Sequence, residues 1–254
     1  MKAIILAAGQ GTRLMPLTND RPKCMVQYQG RSLIEHVVRA LHANGVADIV
    51  AVRGYKPEAL RAPGVRFCDN PRYATTNMVH TLFCAEAELN TDVIISYSDI
   101  VYAPHVLASL IAAEGDFCVV VDRDWRRLWQ ERMDDPLEDA ETLRLDGAGH
   151  ILELGKKAHS YAEIEGQYIG LLKISATAIE AVKRFYGELD RGASYDGKDF
   201  DNMYMTSFVQ AVIDRLMPVT AVPIDGGWLE VDTPSDLQIH IDIGAEPVLR
   251  AQSA

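Results

Sequence analysis

The chain has 254 residues and a net charge of −11, from 25 basic and 36 acidic side chains. Such an acidic surface repels nucleic-acid backbones and anionic membranes, and no apolar run reaches the about 18 residues of a membrane span, so we expect neither nucleic acid nor membrane insertion. The four cysteines form no C-x-x-C pair and the first strand begins without a signal peptide, which indicates a reduced, cytoplasmic protein without a zinc site.

Short apolar runs alternate with helical patterns in the first half of the chain. Ser32 and Glu35 form a capping-box pattern ahead of helical spacing that extends to residue 43. This alternation predicts an α/β fold, with a mainly parallel sheet flanked by helices and ligands at the carboxyl ends of its strands. The strands are expected at residues 2–6, 49–52, 65–68, 93–96 and 117–121.

The pattern changes after residue 121. Two helices are expected at residues 176–189 and 203–216, and a last helix is expected to begin at Thr233 and Pro234, with Thr233 as its N-cap and Asp236 in its first turn. Residues beyond about 244 are typical of a frayed tail. Further strands are expected at residues 141–145, 151–154, 168–174 and 219–223.

A glycine-rich turn follows the first strand. Gly9 and Gly11 let the backbone approach an anion closely, while Arg13 and Lys23 supply positive charge, which together predict a nucleoside triphosphate site. A dinucleotide fingerprint would need glycine where Leu14 stands, and a Walker A loop would end in Gly-Lys-Ser or Gly-Lys-Thr, so both are disfavoured. On the glycines alone, a plain structural turn remains the alternative.

Two aspartates follow strand-like runs. Asp99 comes after the run that ends at residue 96, and Asp232 comes directly after residues 228–231. An aspartate in such a place is more often a turn or cap residue. Beside a phosphate-binding turn, however, the two carboxylates favour a shared Mg²⁺.

These residues carry a family resemblance over nearly the whole chain. They resemble the nucleotidyltransferases that make nucleotide-sugars and CDP-alcohols, in the motifs at residues 6–13, 22–23, 98–99, 170 and 231–232. Residues 70–78 and 201–203 are similar to the bacterial phosphocholine cytidylyltransferase branch. Within that branch the CTP:phosphoglutamine cytidylyltransferases of capsule modification are the most similar, in residues 76–81, 136–141 and 153–157.

The resemblance implies a Rossmann-like nucleotidyltransferase fold and a reaction. An acceptor phosphate would attack the α-phosphorus of CTP, with Mg²⁺ as cofactor and pyrophosphate as leaving group. We therefore expect one domain over residues 1–244, with a nucleotide-binding half at 1–121, an acceptor-binding half at 122–244, and a tail at 245–254. The partners are CTP and a small phosphorylated acceptor, and the sequence leaves a homodimer open.

The resemblance also implies roles for individual residues. Arg13 and Lys23 would be catalytic, because they meet the charge that develops as pyrophosphate leaves. Asp99 and Asp232 would hold the metal. The nucleotide would be bound by the phosphate turn and the base pocket, comprising Leu6, Ala7, Ala8, Gly9, Gly11, Thr12, Thr76, Asn77 and Ser98.

The acceptor would be bound by Lys156, Lys157, Tyr168 and Gly170. Paired lysines are more often a solvated face than a phosphate site. The acidic residues between positions 138 and 165 could receive an ammonium group of the acceptor, although a solvated rim is the commoner explanation. A sugar-ring glutamate and asparagine pattern is not evident, which disfavours the first alternative, a hexose-1-phosphate uridylyl- or thymidylyltransferase. The second alternative is a nucleotide-binding domain without catalysis.

Overall fold

The computed structural model describes residues 1–244, so the expected tail at 245–254 lies outside the described residues. Within residues 1–244 the α-helices are α1 Leu33–Ala43, α2 Met78–Phe83, α3 Pro104–Ala112, α4 Trp125–Arg132, α5 Ala176–Glu188 and α6 Met205–Arg215. The strands of this part of the chain are β1 Lys2–Ala7, β2 Gln27–Tyr28, β3 Arg31–Ser32, β4 Asp48–Arg53, β5 Arg66–Asp69, β6 Val93–Tyr97, β7 Ile100–Tyr102, β8 Phe117–Asp122, β9 Glu141–Leu145, β10 Ile151–Lys157, β11 Gln167–Ile174, β12 Thr220–Ile224 and β13 Trp228–Glu230.

Seven strands form the central sheet, in the order β12-β8-β11-β6-β1-β4-β5. The pairs β6–β1, β1–β4, β4–β5 and β8–β12 are parallel, whereas β11 runs antiparallel to both β6 and β8. The expected mixed, mainly parallel sheet is therefore confirmed. The strand that departs from the parallel pattern lies in the interior of the sheet.

The sheet is buried on both faces. Along β1, Ala3 and Ile5 belong to one hydrophobic cluster, while Ile4 and Leu6 belong to another, because successive side chains of a strand point to opposite faces. The first cluster contains apolar residues of α1, α3 and α4, and the second contains those of α2, α5 and α6. Burial on both faces explains why the central strands are continuous apolar runs in the sequence.

The expected start of α1 is confirmed. Ser32 and Glu35 form the capping box, with the Ser32 N–H donating to Glu35 Oε2 at 2.7 Å. The four cysteines are free thiols, as expected from their spacing. Among the described residues, no helix has the length and apolar character needed to cross a membrane.

A two-stranded sheet outside the central one brings residues 228–232 next to Asp99. β13 pairs antiparallel with β7, and the Val231 N–H donates to the backbone oxygen of Asp99 at 2.9 Å. Asp232 thus follows a strand, as expected, but that strand lies in the small sheet. The β7–β13 pairing brings Asp232 beside Asp99.

The prediction of a last helix from Thr233 is wrong within the described residues. Only a 3₁₀ turn, Asp236–Gln238, forms there, with Ser235 in the cap position. The Asp236 carboxylate accepts the N–H groups of Asp232 and Thr233, each at 2.8 Å, and so closes a tight turn. Beyond this turn Ile239 and Ile241 pack against the first hydrophobic cluster, which holds the chain outside a helix.

Asp122, at the end of β8, fixes the loop that leads into β13. Its buried carboxylate accepts the N–H groups of Asp124 at 2.9 Å and Gly226 at 2.8 Å, and the indole N–H of Trp228 at 2.8 Å. Burial raises the pKa of Asp122 above its usual range, although these three donors oppose the shift.

Replacing Asp122 by alanine is expected to destabilise the fold by about 3 kcal/mol, because buried donors that lose their acceptor keep their desolvation cost. Urea-induced unfolding would measure the loss. Asp225→Ala is the matched control, since Asp225 pairs with Arg123 on the surface and its loss should change little. Equal effects of the two substitutions would contradict this account of the loop.

Candidate functional site

A cavity opens at the carboxyl end of β1. We call it the first cavity. The chain leaving β1 and the chain leaving β6 form one side of it, and α2 with the segment before it forms the other. Its lining comprises Leu6, Ala8, Gly9, Lys23, Tyr73, Thr76, Asn77, Met78, Thr81, Tyr97, Ser98 and Asp99.

The wall around α2 joins residues 70–78 to residues 201–203, which are distant in the chain. The Asn77 N–H donates to the backbone oxygen of Asp201 at 2.9 Å, and Arg72 forms an ion pair with the Asp201 carboxylate. The Asn77 side chain accepts the N–H of Met78 and caps α2. Asn77 therefore lines the cavity while its side-chain oxygen holds the helix start.

Three carboxylates meet between the two segments that leave β6 and β13. One oxygen from each of Asp99, Glu230 and Asp232 lies within 4.8 Å of the others, and we call these residues the carboxylate cluster. Asp99 Oδ1 is buried and has no hydrogen-bond partner in residues 1–244. Oxygen ligands and an unsatisfied carboxylate oxygen suit a hard divalent cation such as Mg²⁺, so the residues present fit that ion.

The ammonium of Lys23 lies inside the carboxylate cluster. Lys23 Nζ donates to Asp99 Oδ2 at 2.6 Å and also to Asp232 Oδ1. Burial by itself lowers the pKa of Lys23, but the charges of Asp99 and Asp232 outweigh it and hold the pKa above its ordinary value. The same pairing lowers the pKa of Asp232 against the effect of its burial.

A buried arginine supports the cluster from behind. The side chain of Arg132, at the end of α4, is 5% exposed, and its Nε donates to Asp236 Oδ1 at 3.1 Å. Its other nitrogens lie 3.5 Å from Glu230 Oε2 and 3.8 Å from Asp232 Oδ2. Because Asp236 also accepts the Asp232 N–H, Arg132 and Asp236 fix both the backbone and the charge of the cluster.

A second cavity of about 390 Å³ adjoins the first and shares Met78 and Tyr97 with it. We call it the second cavity. This volume lies within the range of about 300–1,000 Å³ that is common for small-molecule sites. Its lining comprises Arg13, Met78, Tyr97, Trp129, Asp139, Glu141, Gln167, Tyr168, Ile169, Gly170, Tyr204, Met205, Thr206, Trp228, Glu230 and Asp232.

The second cavity is acidic. Four of its lining residues are carboxylates, and Arg13, paired with Asp232 Oδ2 at 3.0 Å, is its one cation within the described chain. Burial, together with the charges of Asp139 and Asp196, raises the pKa of Glu141 to about 7. Asp139 accepts the indole N–H of Trp129 at 3.1 Å, which holds its carboxylate in place.

Comparison with known proteins now identifies the family. Residues 3–194 match the family model of the MobA-like NTP transferase domain. The chain belongs to this family. It is therefore a nucleotidyltransferase, and the expected family and fold class are confirmed.

The comparisons also include a relative that matches over nearly the full length. CTP:phosphoglutamine cytidylyltransferase of Campylobacter jejuni is 48% identical over 253 residues, which cover 95% of this chain and 100% of the relative. Two solved structures share the fold. The inositol-1-phosphate CTP transferase of T. maritima has a TM-score of 0.71 at 21% identity, covering 92% of this chain and 90% of its own. CTP:phosphocholine cytidylyltransferase of Streptococcus pneumoniae has a TM-score of 0.66 at 22% identity, covering 93% of this chain and 96% of its own.

The structure brings most of the expected nucleotide-binding residues of this NTP transferase together. Leu6, Ala8, Gly9, Thr76, Asn77 and Ser98 all line the first cavity. Ala7 points into the hydrophobic core, and Thr12 lies exposed in a 3₁₀ turn, Thr12–Leu14. Gly11 has a φ of +69°, and a Cβ there would lie 2.8 Å from Lys23 Cγ, so this glycine makes room for the lysine.

Only two of the four expected acceptor-binding residues line either cavity. Tyr168 and Gly170 line the second cavity, whereas Lys156 and Lys157 line neither cavity. Both lysines lie within β10 and are exposed, and their ammonium groups reach Glu153 at 3.0 Å and the backbone oxygens of residues 137 and 138 at 2.6 Å. Lys156 and Lys157 therefore lie on a solvated face, which is the commoner explanation for two adjacent lysines.

Gly170, besides lining the second cavity, leaves room for a neighbouring side chain. It has a φ of +81°, and a Cβ would lie 2.4 Å from the Tyr97 ring. The missing side chain makes room for that ring, and Tyr97 in turn lines both cavities.

Sequence reasoning missed Glu230 and Arg132. Glu230 stands two residues before Asp232 at the end of a strand, and this spacing, which puts side chains on one face, was the available signal. Arg132 had no local signal, because its carboxylate partners are 98 or more positions away in the chain.

Alanine at Gly11 and at Gly9 is expected to act in different ways. Gly11→Ala forces a strained φ and displaces Lys23, so both stability and turnover should fall. A Cβ at Gly9 would meet no atom of the described chain within 4 Å apart from its own neighbours, and Gly9 lines the first cavity, so Gly9→Ala should impair only nucleotide binding. Thermal unfolding and initial rates on both variants would test this, and an unchanged melting temperature for Gly11→Ala would contradict it.

Proposed function

We propose that the enzyme transfers a cytidylyl group from CTP to a small phosphorylated acceptor that carries an ammonium group, with Mg²⁺ as cofactor and pyrophosphate as product. The observation that carries this is the carboxylate cluster with Lys23 at the junction of two cavities. The 48% identity to a CTP:phosphoglutamine cytidylyltransferase supports the choice of CTP. We further propose that the product serves surface polysaccharide modification, as the resemblance of the sequence implies.

CTP would occupy the first cavity. Leu6, Ala8 and Asn77 would surround the cytosine, while Thr76 and Ser98 lie on the same lining. Gly9 would leave space for the phosphates to approach the backbone. The α-phosphorus would then lie near Lys23 and the carboxylate cluster, where the first cavity meets the second.

The reaction joins an acceptor phosphate oxygen to the α-phosphorus as the bond from that phosphorus to the β-phosphate oxygen breaks. The attacking oxygen is already anionic, so no general base is required. Lys23 and Arg13 would stabilise the negative charge that accumulates on the departing pyrophosphate and on the α-phosphate oxygens. Asp99 and Asp232, with Glu230 beside them, would hold a divalent cation, which when bound neutralises phosphate charge.

The acceptor would occupy the second cavity. Its phosphate would face the cluster and Arg13, while Asp139 and Glu141 lie on the same lining and suit a cationic group. Glutamine phosphate, phosphocholine and 2-aminoethylphosphonate each combine such a cationic group with a phosphoryl group. A hexose phosphate carries no cation, and for it four carboxylates in this lining would offer no charge partner.

A pyrophosphate-release screen tests the proposed activity. We expect CTP to be preferred over UTP and dTTP by at least about 100-fold, since a site that hydrogen-bonds the base rejects bases with the reversed pattern. Chelation of divalent cations should abolish release. Efficient use of UTP or dTTP with glucose 1-phosphate would favour the hexose-1-phosphate alternative. No release with any pair would favour a domain that only binds nucleotide.

Glu141 is expected to distinguish acceptors by their ammonium group. Glu141→Gln should raise KM for phosphoethanolamine about tenfold and leave KM for ethyl phosphate nearly unchanged, because only the first offers a cation to the carboxylate. With the pKa of Glu141 at about 7, the wild-type preference for phosphoethanolamine should weaken as the pH falls below 7 and the carboxyl becomes neutral.

Ethyl phosphate serves as the control for the pH series, because its phosphate titrates in the same range. Glu165→Gln is the matched control substitution, since Glu165 is exposed and outside the second cavity. An equal change of KM for both acceptors in Glu141→Gln would show that Glu141 does not meet the ammonium.

A further inference from the structure

The ammonium of Lys23 occupies the position that a divalent cation needs. It donates to Asp99 Oδ2 at 2.6 Å and to Asp232 Oδ1, and its side chain is only 11% exposed. Asp99 and Asp232 are also the residues proposed to hold Mg²⁺. One small group of oxygens therefore has two candidate cations.

Lys23 and a divalent cation compete for these carboxylates. Mg²⁺ binds carboxylate oxygens at about 2.0–2.1 Å, with near-octahedral geometry. An ammonium that remained bound to the same two carboxylates would lie in the coordination sphere, and its charge would repel the ion in a site with little water. Within residues 1–244 Asp99 Oδ1 is free for a metal, but both oxygens of Asp232 are taken, Oδ1 by Lys23 and Oδ2 by Arg13. Asp232 can therefore bind a divalent cation through Oδ1 only after Lys23 has left.

The ammonium of Lys23 has a second position available, in the first cavity. Its side chain also lines the first cavity, where the triphosphate is proposed to bind. The base of the side chain packs over Gly11, where a Cβ would come within 2.9 Å of Lys23 Cβ, so this part is confined. The terminal carbons and the ammonium can turn from the carboxylates toward the cavity about the side chain's own rotatable bonds.

We propose that Lys23 is a place-holding counter-ion, which the arriving divalent cation displaces from Asp99 and Asp232 into the first cavity. Before substrate binds, the lysine neutralises carboxylates that would otherwise repel CTP. After displacement, the same ammonium faces the phosphates. Binding of the metal thus releases the lysine that the transfer step uses. The displacement rests on the proposed cation site.

Amine labelling of the wild-type protein tests the displacement. The nucleotide-free protein would be treated with acetic anhydride in the presence and in the absence of Mn²⁺. Mass spectrometry would then measure the acetylation of each lysine. We expect labelling of Lys23 to rise at least about tenfold with Mn²⁺, as the exposed position becomes dominant. Lys173 is the control, since it is buried and bound to backbone oxygens of Ile111 and Ala113, and its labelling should not change.

Mn²⁺ binding, followed by electron paramagnetic resonance, separates competition from simple charge repulsion. Lys23→Met should bind Mn²⁺ about tenfold more tightly than the wild type, because the competitor is gone. Arg13→Met removes the same charge from the other oxygen of Asp232, but Arg13 is 65% exposed, so its effect should stay below about threefold.

The results of the labelling and Mn²⁺-binding experiments test the displacement and the cation site separately. Bound Mn²⁺ with unchanged labelling of Lys23, or equal effects of Lys23→Met and Arg13→Met, would overturn the displacement and leave the proposed cation site standing. Absence of Mn²⁺ binding to the wild type and to both variants would overturn the cation site and the displacement together. Pyrophosphate release with CTP is measured separately, so failure of the proposed transfer activity would be recognised on its own.

Discussion

Compensation of buried negative charge is the constraint on which the rest of the site depends. Asp99, Glu230 and Asp232 lie so close that their ionised forms repel one another, and burial together with the other two charges raises the pKa of Glu230 to about 8. Carboxylates in such surroundings persist only with cations beside them. Lys23 supplies that charge from the cavity side and Arg132 from the core side.

The fold meets this constraint by joining distant parts of the chain. The segment after β6 provides Asp99, the turn after β1 leads to Lys23, and the small β7–β13 sheet delivers Glu230 and Asp232. The Val231 N–H on the Asp99 backbone oxygen ties the two acidic segments directly. Because this bond continues the β7–β13 pairing by one step, the two acidic segments are held by the backbone of a sheet, as a site for charged substrates requires.

Patterns local in sequence predicted the fold and part of the site. Buried strands such as β1 and β6, and the capping box of Ser32, leave a signal within a few residues, so their positions agreed with the structure. The prediction of a last helix was wrong because of contacts of Asp236. Its carboxylate accepts hydrogen bonds from the N–H groups of Asp232 and Thr233 and forms an ion pair with Arg132, a residue more than 100 positions away.

The same distinction holds for the site. Lys156 and Lys157 were grouped by their adjacency, but the register of β10 leaves them on an exposed strand away from both cavities. Gly11 and Gly170 were expected to bind the nucleotide and the acceptor, and in the structure each also makes room for a side chain, Lys23 in one case and the Tyr97 ring in the other. Such roles depend on which group packs against a glycine, and sequence spacing does not contain that information.

The late position of β13 in the chain has a consequence for biosynthesis. Translation delivers Lys23 and Asp99 long before Glu230 and Asp232, so a nascent chain can pair β1, β4 and β6 while it still lacks two of the three clustered carboxylates. During that interval Asp99 and Lys23 have only each other as charge partners. The carboxylate cluster can therefore be completed only after β13 has been synthesised, later than the strands that border the first cavity.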